Sequence, residues 1–229
     1  EILKQQRAKA VELKALQAQI NPHFLYNTLD SIQWMAYRAG EKEISQMATA
    51  LGRFFREVVH RDGGMVTVAE ELALLSHYLV IQKIRFRDKL TVTLEVPENL
   101  MAQRTLKLML QPLVENALTH GLEPLRNGGT VTVRCQLEHQ RIRFEVRDDG
   151  IGMDAETLTN LRNRHADTAA TATNESIGLV NVARRLDLQF PEDQEFHIES
   201  SPGKGTIVTI VHSLVMPMKS QNDRDESAW

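Results

Sequence analysis

The stretch that decides the fold is Arg141-Ile142-Arg143-Phe144-Glu145-Val146-Arg147-Asp148-Asp149-Gly150-Ile151-Gly152. Its first seven residues alternate between charged and apolar side chains, the pattern of a β-strand with one buried face. The turn that follows offers a carboxylate, Asp148, and two glycines, Gly150 and Gly152, which let the backbone approach a flat ligand. Such a carboxylate can accept a hydrogen bond from an exocyclic amine such as adenine N6. An Asp-Gly turn is common in proteins, so this motif alone is weak.

Segments of the same alternating kind lie on both sides of this strand. They are residues 90–96, 130–138, 195–200 and 206–212. Helical patterns separate them, at residues 104–120, 154–164 and 178–189. Strands and helices therefore mix without the regular alternation of a parallel sheet, and we predict an α+β sandwich with helices on one face.

The N-terminal third has a different texture. Residues 1–39 lack glycine and are rich in Ala, Leu, Gln and Lys, which favours a long helix. Leu13, Leu16 and Ile20 recur at spacings of three and four, as in a coiled coil or a helical bundle. Pro22 removes a backbone donor and is expected to bend this helix just before His23.

A second amphipathic helix is predicted over residues 44–58, after a break at Gly40. The two helices form a hairpin that buries little by itself, so we expect two copies to build a four-helix bundle, giving a homodimer. Thr67 and Glu70 have the spacing of a capping box and are predicted to open a third helix that ends near Arg87.

Composition excludes several classes of protein. The 229 residues carry a net charge of -3, which gives no electrostatic footprint for nucleic acid. The single cysteine, Cys135, rules out an internal disulfide and a cysteine-built zinc site, and it indicates a reducing compartment. No run of about 18 apolar residues occurs, so this piece is expected to be soluble and cytoplasmic. It begins at Glu1 without methionine, which suggests a fragment of a longer protein.

One candidate nucleophile lies near the start, in Asn21-Pro22-His23-Phe24-Leu25-Tyr26-Asn27. A lone histidine on a helix is usually a surface residue. Here bulky neighbours surround it in a chain with only 5% aromatic residues. Asn27, one helical turn on, can hydrogen-bond to the imidazole or hold a water beside it.

Three polar residues project from the predicted helix at 106–120. Asn116 and His120 are four residues apart and therefore neighbours on its surface. An amide oxygen suits Mg²⁺, an imidazole can contact phosphate, and Glu115 can polarise a nucleophile. The alternative is a solvated helix end before Gly121.

Two further segments can meet a phosphate tail. Ser176-Ile177-Gly178-Leu179-Val180-Asn181 starts a helix, where backbone amides and the positive helix end favour anions. Ser201-Pro202-Gly203-Lys204-Gly205-Thr206 lies between two strands, and Lys204 can reach a phosphate, although such a lysine is more often solvated. The small polar residues 165–175 have the length of a lid.

In chain order these segments resemble the sensor histidine kinases of two-component systems, and most closely the LytS/YesM type. The stretch Asn21–Asn27 is similar to that type's phosphoacceptor motif, and Gln111-Pro112-Leu113-Val114-Glu115-Asn116-Ala117 to its N box. Three glycine boxes follow, at Asp148–Gly152, Gly178–Asn181 and Gly203–Thr206.

The resemblance implies a dimeric helical hairpin for phosphotransfer, followed by a GHKL (Bergerat) α/β sandwich that binds ATP and Mg²⁺. It divides the chain into residues 1–88, 89–213 and a disordered tail, 214–229. It implies autophosphorylation on His23 and transfer to an aspartate of a response regulator, in a protein anchored to a bacterial membrane. Its implied nucleotide contacts, apart from the metal ligand Asn116, are His120, Asp148, Gly150, Gly152, Gly178, Leu179, Asn181, Lys204, Gly205 and Thr206.

Two residues depart from the pattern of histidine kinases. Phe24 stands where many of them carry an acidic residue after the acceptor histidine, which leaves Glu115 as the candidate base. Ser176 stands where the second glycine box usually has glycine, which bears on nucleotide affinity. These departures support one alternative, a non-catalytic nucleotide-binding signalling dimer. A GHKL ATPase or serine kinase is a third interpretation, against which the helix that carries His23 argues.

Overall fold

The computed structural model describes residues 22–60, 64–166 and 177–215. The predicted coiled-coil positions Leu13, Leu16 and Ile20 lie outside the described residues, as do Ser176, most of the predicted lid and most of the predicted tail. The contacts divide the chain into two compact units. The first contains residues 22–60 with Ser76–Arg85, and the second contains residues 64–75 and the described residues from 86 onward.

The first unit is built on the predicted helical hairpin. Helix α1 spans Pro22–Arg38 and helix α2 spans Lys42–His60. Gly40 lies between them with a φ of +79°, a conformation that a residue without a Cβ adopts at little cost. Small and apolar side chains form the contact between the helices, and the buried ones are Tyr26, Leu29, Ala36, Ala48 and Ala50.

Polar contacts fix this hairpin near its open end. The hydroxyl of Tyr26 donates to the carbonyl of Phe55 at 3.4 Å, and the guanidinium of Arg56 lies 5.3 Å from the centre of the Tyr26 ring. The imidazole of His77 lies 3.4 Å from the carboxylate of Glu57. Large apolar side chains on α1 nevertheless stay exposed, namely Phe24, Ile32, Trp34, Met35 and Tyr37.

The second unit contains a five-stranded sheet, a two-stranded sheet and four helices. In chain order its elements are β1 (Met65–Thr67), α3 (Val68–Phe86), β2 (Leu90–Glu95), β3 (Arg104–Leu106), α4 (Leu110–Asn116), β4 (Gly129–Glu138), β5 (Arg141–Asp148), α5 (Ala155–Ala166), α6 (Ile177–Gln189), β6 (Gln194–Ser200) and β7 (Thr206–Ser213). Helix α3 gives only residues 68–75 and 86 to this unit. Helix α4 continues as a π-helical segment, Ala117–Leu122.

The larger sheet has the order β2-β4-β5-β7-β6, with β2 and β4 parallel and the other pairs antiparallel. Alternate residues of the two central strands face the core, as the sequence pattern predicted. Helices α4, α5 and α6 contact this sheet. The exposed face instead carries ion pairs such as Arg134–Glu95, at 2.6 Å. The α+β prediction with a helical N-terminal region is therefore confirmed.

The capping box is also confirmed. The backbone N–H of Thr67 donates to the Glu70 carboxylate at 2.9 Å, and the N–H of Glu70 donates to the Thr67 hydroxyl at 3.2 Å. Two backbone donors at the start of α3 are thus satisfied reciprocally. Helix α3 ends at Phe86, one residue before the predicted end, and the next residue has a φ of +52°.

One helix prediction was wrong in its first residues. Residues 104–106, expected to begin the helix that carries the N box, form β3 and pair with β1. The pairs are Met65↔Leu106, Val66↔Thr105 and Thr67↔Arg104. A strand of three residues is too short to show alternation, and the spacing of Leu106 from Leu110 matches that of the helix that follows. Among the described helices, none combines the length and the apolar character needed to cross a membrane.

A buried histidine, His212, lies in the core of this unit. One ring nitrogen, Nε2, lies 3.0 Å from the hydroxyl of Thr105, and the other, Nδ1, lies 2.9 Å from the carbonyl of Ser213. The rings of Phe190 and Phe144 stack on it, with centroids 4.5 and 5.9 Å away. Because Nδ1 must donate to the carbonyl, Nε2 is the acceptor for the hydroxyl. Burial lowers the pKa of His212 from its usual value, so the folded protein holds it neutral.

We therefore predict an acid-sensitive contribution of His212 to stability. Above pH 6.5 the imidazole is neutral in both the folded and the unfolded chain, so the contribution is constant. Below pH 6.5 the unfolded chain binds a proton that the folded chain does not, and about 1.4 kcal/mol is lost for each further pH unit until the lowered pKa of the folded chain is reached. Urea unfolding from pH 7.5 to 5.0 measures this loss, and His212→Gln should lack it. An equal pH dependence of both proteins would contradict the prediction.

Candidate nucleotide site

A cavity of about 430 Å³ lies between α4 and α6 in the second unit. Its lining combines one wall from α4 and the π-helical segment with one wall from the start of α6. The residues are Pro112, Glu115, Asn116, Thr119, His120, Gly178 and Leu179. The sequence predicted five of these, from the N box and from the second glycine box. The structure therefore brings two motifs that are about 60 residues apart in the chain to one cavity.

The wall from α4 is held by the apolar face of its own helix. Leu113, Val114, Ala117 and Leu118 are at most 3% exposed, so the polar residues between them must face away from the core. Glu115 and His120 are exposed, and Asn116 is half-buried. The change from α-helix to π-helix begins directly after Asn116. The wider π turns are rare in proteins, and those that occur are often found at functional sites.

Asp148 lies at the end of β5 and is only 2% exposed. One carboxylate oxygen accepts a hydrogen bond from the N–H of Gly150 at 2.8 Å. The π-helical segment ends against this turn, where the N–H of Ile151 donates to the carbonyl of Gly121 at 3.0 Å. A Cβ at Gly121 would lie 2.6 Å from the Asp148 carboxylate, so only glycine fits there. The first glycine box is thereby joined to the helix of the N box.

The third glycine box packs against the first. The N–H of Gly203 donates to the carbonyl of Ile151 at 2.6 Å, and the hydroxyl of Thr206 lies 3.0 Å from that of Ser200. Gly205 and Thr206 are buried, whereas Lys204 is exposed. The candidate residues Gly150, Gly152, Gly205 and Thr206 thus form a support around Asp148.

The cavity lining leaves out some of the candidates. Asn181 is exposed on α6 and, among the described residues, is not part of the lining. The same holds for Lys204. Asn181 and Lys204 therefore lie on the surface of the second unit, and the geometry of the cavity assigns neither of them a role.

His23 belongs to the first unit, where it is exposed in the first turn of α1. Its Nδ1 lies 3.3 Å from the side-chain nitrogen of Asn27, so the predicted contact between these two residues is present. Phe24 is 70% exposed and points to no core, whereas Tyr26 is buried. Glu115, the candidate base, lines the cavity of the second unit.

Two protein-family models match this chain, one in its N-terminal part and one in its C-terminal part. Residues 11–90 match the family model described as histidine kinase. Residues 101–216, half of the chain, match the model described as histidine kinase-, DNA gyrase B-, and HSP90-like ATPase. This chain belongs to the sensor histidine kinases, in their LytS/YesM type.

Among its relatives, the chain is 39% identical over 207 residues to the sensor histidine kinase YesM of Bacillus subtilis strain 168, which covers 90% of this chain and 34% of that protein. It is 33% identical over 200 residues to the sensor histidine kinase BtsS of Escherichia coli strain K12, covering 87% and 33%. It is 34% identical over 215 residues to YpdA of the same organism, covering 93% and 36%. This histidine kinase chain therefore spans about a third of the length of these relatives.

Sequence reasoning on this kinase missed part of the cavity wall. Pro112 and Thr119 line the cavity but carry no charge or ligand chemistry that would single them out. Helical spacing was the available signal, because they lie four residues before and three residues after Asn116 and so share its face. Gly121 was noted only as the end of a helix, although its missing side chain is what admits Asp148.

Burial raises the pKa of Asp148 to about 6, from 3.8. The hydrogen bonds donated by the backbone of Gly150 and Thr206 oppose that rise, and the neighbouring charge of Asp149 adds to it. At neutral pH this histidine kinase thus holds an ionised carboxylate in a place that disfavours it.

We predict that Asp148→Asn stabilises the nucleotide-free kinase at neutral pH. Between pH 3.8 and 6 the folded chain keeps a proton that the unfolded chain releases, so stability falls as pH rises, by about 3 kcal/mol in all. Asparagine does not titrate, and its side-chain oxygen can still accept from Gly150. From pH 4 to pH 7, the free energy of unfolding of the variant should rise relative to that of the parent by about this amount. A constant difference would contradict the prediction.

Proposed function

We propose that this chain is the kinase portion of a two-component sensor, which phosphorylates its own His23 with Mg·ATP and passes the phosphoryl group to an aspartate of a response regulator. One observation carries the proposal: a cavity bounded by the N box and the second glycine box, on a helix whose end at Gly121 contacts the turn of the buried Asp148. Family membership supports ATP binding in general. The assignment of individual residues is part of the proposal.

The nucleotide is bound by groups of three kinds. Asp148 accepts a hydrogen bond from the exocyclic amine of adenine. The N–H of Gly150 orients its carboxylate, and the glycine turn lets a flat base come close. The start of α6, at Gly178 and Leu179, faces the phosphates with backbone N–H groups and a positive helix end. His120 contacts a phosphate from the opposite wall.

Magnesium fits the residues of this cavity. Asn116 is half-buried in the wall and its amide oxygen is a hard ligand of the kind that Mg²⁺ takes, with phosphates and waters as its other ligands. When bound, Mg²⁺ neutralises charge on the phosphates during transfer. The protein's share is to fix the position of the nucleotide.

The reaction at His23 forms one bond and breaks one. A ring nitrogen with its lone pair attacks the γ-phosphorus, and the bond from that phosphorus to the bridging oxygen breaks with its electrons leaving on ADP. The ring proton on the other nitrogen is then given up to a base or retained. Exposure of His23 suits this reaction, because the imidazole must meet the nucleotide and later a regulator.

Asn27 decides which nitrogen attacks. Amide oxygen and nitrogen are interchangeable by a half-turn of the side chain. With its oxygen toward His23, Asn27 accepts a hydrogen bond from Nδ1–H over the 3.3 Å separation, and the lone pair is then on Nε2. Asn27 is therefore proposed as an orienting residue for His23, in addition to holding water for a phosphatase reaction.

The assembly is proposed to be a homodimer formed by the hairpins. The exposed apolar side chains of α1, with Trp34 and Met35 at 61% and 72%, support a second copy as their cover. The division of the chain near residue 88, a membrane anchor in the full-length protein and a cytoplasmic location for this portion belong to the same proposal.

Replacement of the acceptor tests the reaction. With γ-labelled ATP and Mg²⁺, the parent should acquire acid-labile label and His23→Gln should acquire none, because glutamine has no nucleophilic ring nitrogen. Asn27→Ala is the matched variant on the same helix face. It keeps the acceptor and should label more slowly.

Label retained in His23→Gln would move the acceptor elsewhere. Acid-stable label would indicate a serine kinase, and free phosphate without labelled protein would indicate an ATPase. Tight nucleotide binding by a parent that never becomes labelled would favour the non-catalytic signalling dimer.

Two further variants test the nucleotide contacts. Asn116→Ala should weaken Mg·ATP binding by about 10- to 100-fold and should abolish labelling, because the metal loses a ligand. Asp148→Ala should weaken ATP and Mg²⁺-free ADP alike by about tenfold or more, through loss of a charged hydrogen bond. Isothermal titration gives both affinities. Leu188→Ala is the control, because that side chain is 76% exposed on α6 and lies outside the cavity lining. Normal labelling in the first two variants would refute the assignment.

A further inference from the structure

A buried carboxylate outside the cavity holds the start of α4. Glu71, on α3, is 1% exposed. One of its oxygens accepts from the N–H of Leu108 at 2.7 Å, and the other accepts from Met109 at 2.7 Å and from Leu110 at 2.8 Å. These amides open the helix that carries the N box, and helix-initial N–H groups have no partner within the helix itself. Glu71 therefore acts as a cap supplied by another element.

The turn that Glu71 holds has an unusual backbone. Leu108 has a φ of +56°, a conformation that a side chain with a Cβ rarely adopts. Such a conformation is costly and persists only where the surroundings fix it. The three amide contacts from Glu71 fall on this residue and the two that follow it.

Arg185, on α6, holds the same turn from the other side. Its guanidinium donates to the carbonyls of Lys107 and Leu108, at 2.5 and 3.5 Å. Glu71 and Arg185 also attract each other electrostatically. We call Glu71, Arg185 and the turn 107–109 the clamp. It ties α3, α4 and α6 together through one strained segment.

The clamp joins the two helices that form the walls of the cavity. Pro112, Glu115 and Asn116 lie within about two helical turns of the amides that Glu71 holds, and Gly178 lies about two turns before Arg185 on α6. The far end of this helical segment contacts the Asp148 turn through Gly121, whereas the clamp holds its first residues, and Asp148 itself is fixed by β5 and Gly150. A shift at the clamp thus moves the start of α4 and leaves the adenine contact in place.

We propose that Glu71 and Arg185 are positioning residues for Mg·ATP: by fixing the turn 107–109 they set the separation of α4 and α6, and hence the place of Asn116 relative to Gly178. This inference rests on the proposed function of the cavity. It goes beyond it, since neither residue lines the cavity or touches the nucleotide.

A purely structural role gives a different result. A cap that only stabilises the fold changes the melting temperature and leaves the affinity of the folded molecules unchanged. A positioning residue changes affinity at temperatures where the variant is fully folded, and it changes the magnesium-dependent part alone. The ratio of the Kd for Mg²⁺-free ADP to the Kd for Mg·ATP separates the two roles.

The variants are Glu71→Gln, Arg185→Lys and their combination. Glutamine has the same shape as glutamate, but its NH₂ group replaces one of the two oxygens. That NH₂ group then faces a backbone N–H, so two donors meet where Glu71 has an acceptor. Lysine keeps the charge but cannot bridge two carbonyls. Ile142→Val is the control, because it trims a fully buried side chain that belongs neither to the clamp nor to the cavity lining.

Isothermal titration well below the melting temperature should show Mg·ATP binding weakened about tenfold in Glu71→Gln, with Mg²⁺-free ADP changed less than about twofold. Arg185→Lys should act in the same direction. The combined variant should weaken Mg·ATP binding by less than the product of the two single fold-changes, because both residues hold the same turn. Ile142→Val should melt earlier and bind both nucleotides as the parent does.

A second readout needs no nucleotide. Hydrogen exchange at the amides of residues 108–110 should accelerate in Glu71→Gln and stay slow in Ile142→Val. Parent-like affinities in both folded clamp variants would overturn the inference, and if Glu71→Gln does not fold, Arg185→Lys decides it. A parent that binds no Mg·ATP would instead refute the proposed function, while exchange would still test whether Glu71 holds the turn.

Discussion

The second unit depends on a direct approach of two backbones, where the π-helical end of α4 meets the turn after β5. The hydrogen bond from Ile151 N–H to the carbonyl of Gly121 measures 3.0 Å, and a Cβ at Gly121 would collide with the carboxylate of Asp148. This contact sets where the N-box helix ends relative to the sheet. Since Asn116 is only five residues before Gly121, the same contact limits where the cavity wall can lie. Glycine is required on the turn side of this contact, because a Cβ at Gly150 would lie 2.3 Å from the carbonyl oxygen of Gly121.

The outline of this fold was predictable from the sequence because its signals are local. Alternation in β5 and the capping box at Thr67 and Glu70 each depend on residues a few positions apart, and the structure reproduces both. Part of one cavity wall, namely Glu115, Asn116 and His120, was also predicted from the sequence. What escaped prediction depends on distant partners: the β1–β3 pair joins segments about 40 residues apart, and Glu71 reaches residues 37 to 39 positions later. Neither the π-helical turn nor the φ of Leu108 has a local sequence signature, because long-range contacts impose them.

Several features of the candidate site cost stability rather than adding to it. Asp148 is an ionised group in a buried place, and its pKa of about 6 measures how far burial disfavours the charge. The turn at Leu108 is strained. The glycines of the site also cost conformational entropy on folding, because glycine has more backbone freedom in the unfolded chain than other residues. The buried faces of the central strands, among them Val133, Phe144 and Ile210, offset these costs through the area that they remove from water. Core packing and ligand chemistry are thus separated in space, with the strained and charged groups gathered at one end of the sheet and at the start of α4.

The proposed reaction explains why the nucleophile is exposed while the carboxylate proposed to bind adenine is buried. An adenine-reading carboxylate gains strength from a dry surrounding, where competing water is absent and its orientation is fixed. His23 has to meet two partners in turn, the γ-phosphate and then a carboxylate of another protein, so a closed pocket around it would exclude the second. Its orientation must therefore come from its own helix, and the contact with Asn27 one turn away provides that within a single element. A rigid site on the sheet and an accessible imidazole on a hairpin are two different structural problems, and this chain solves each with a separate unit.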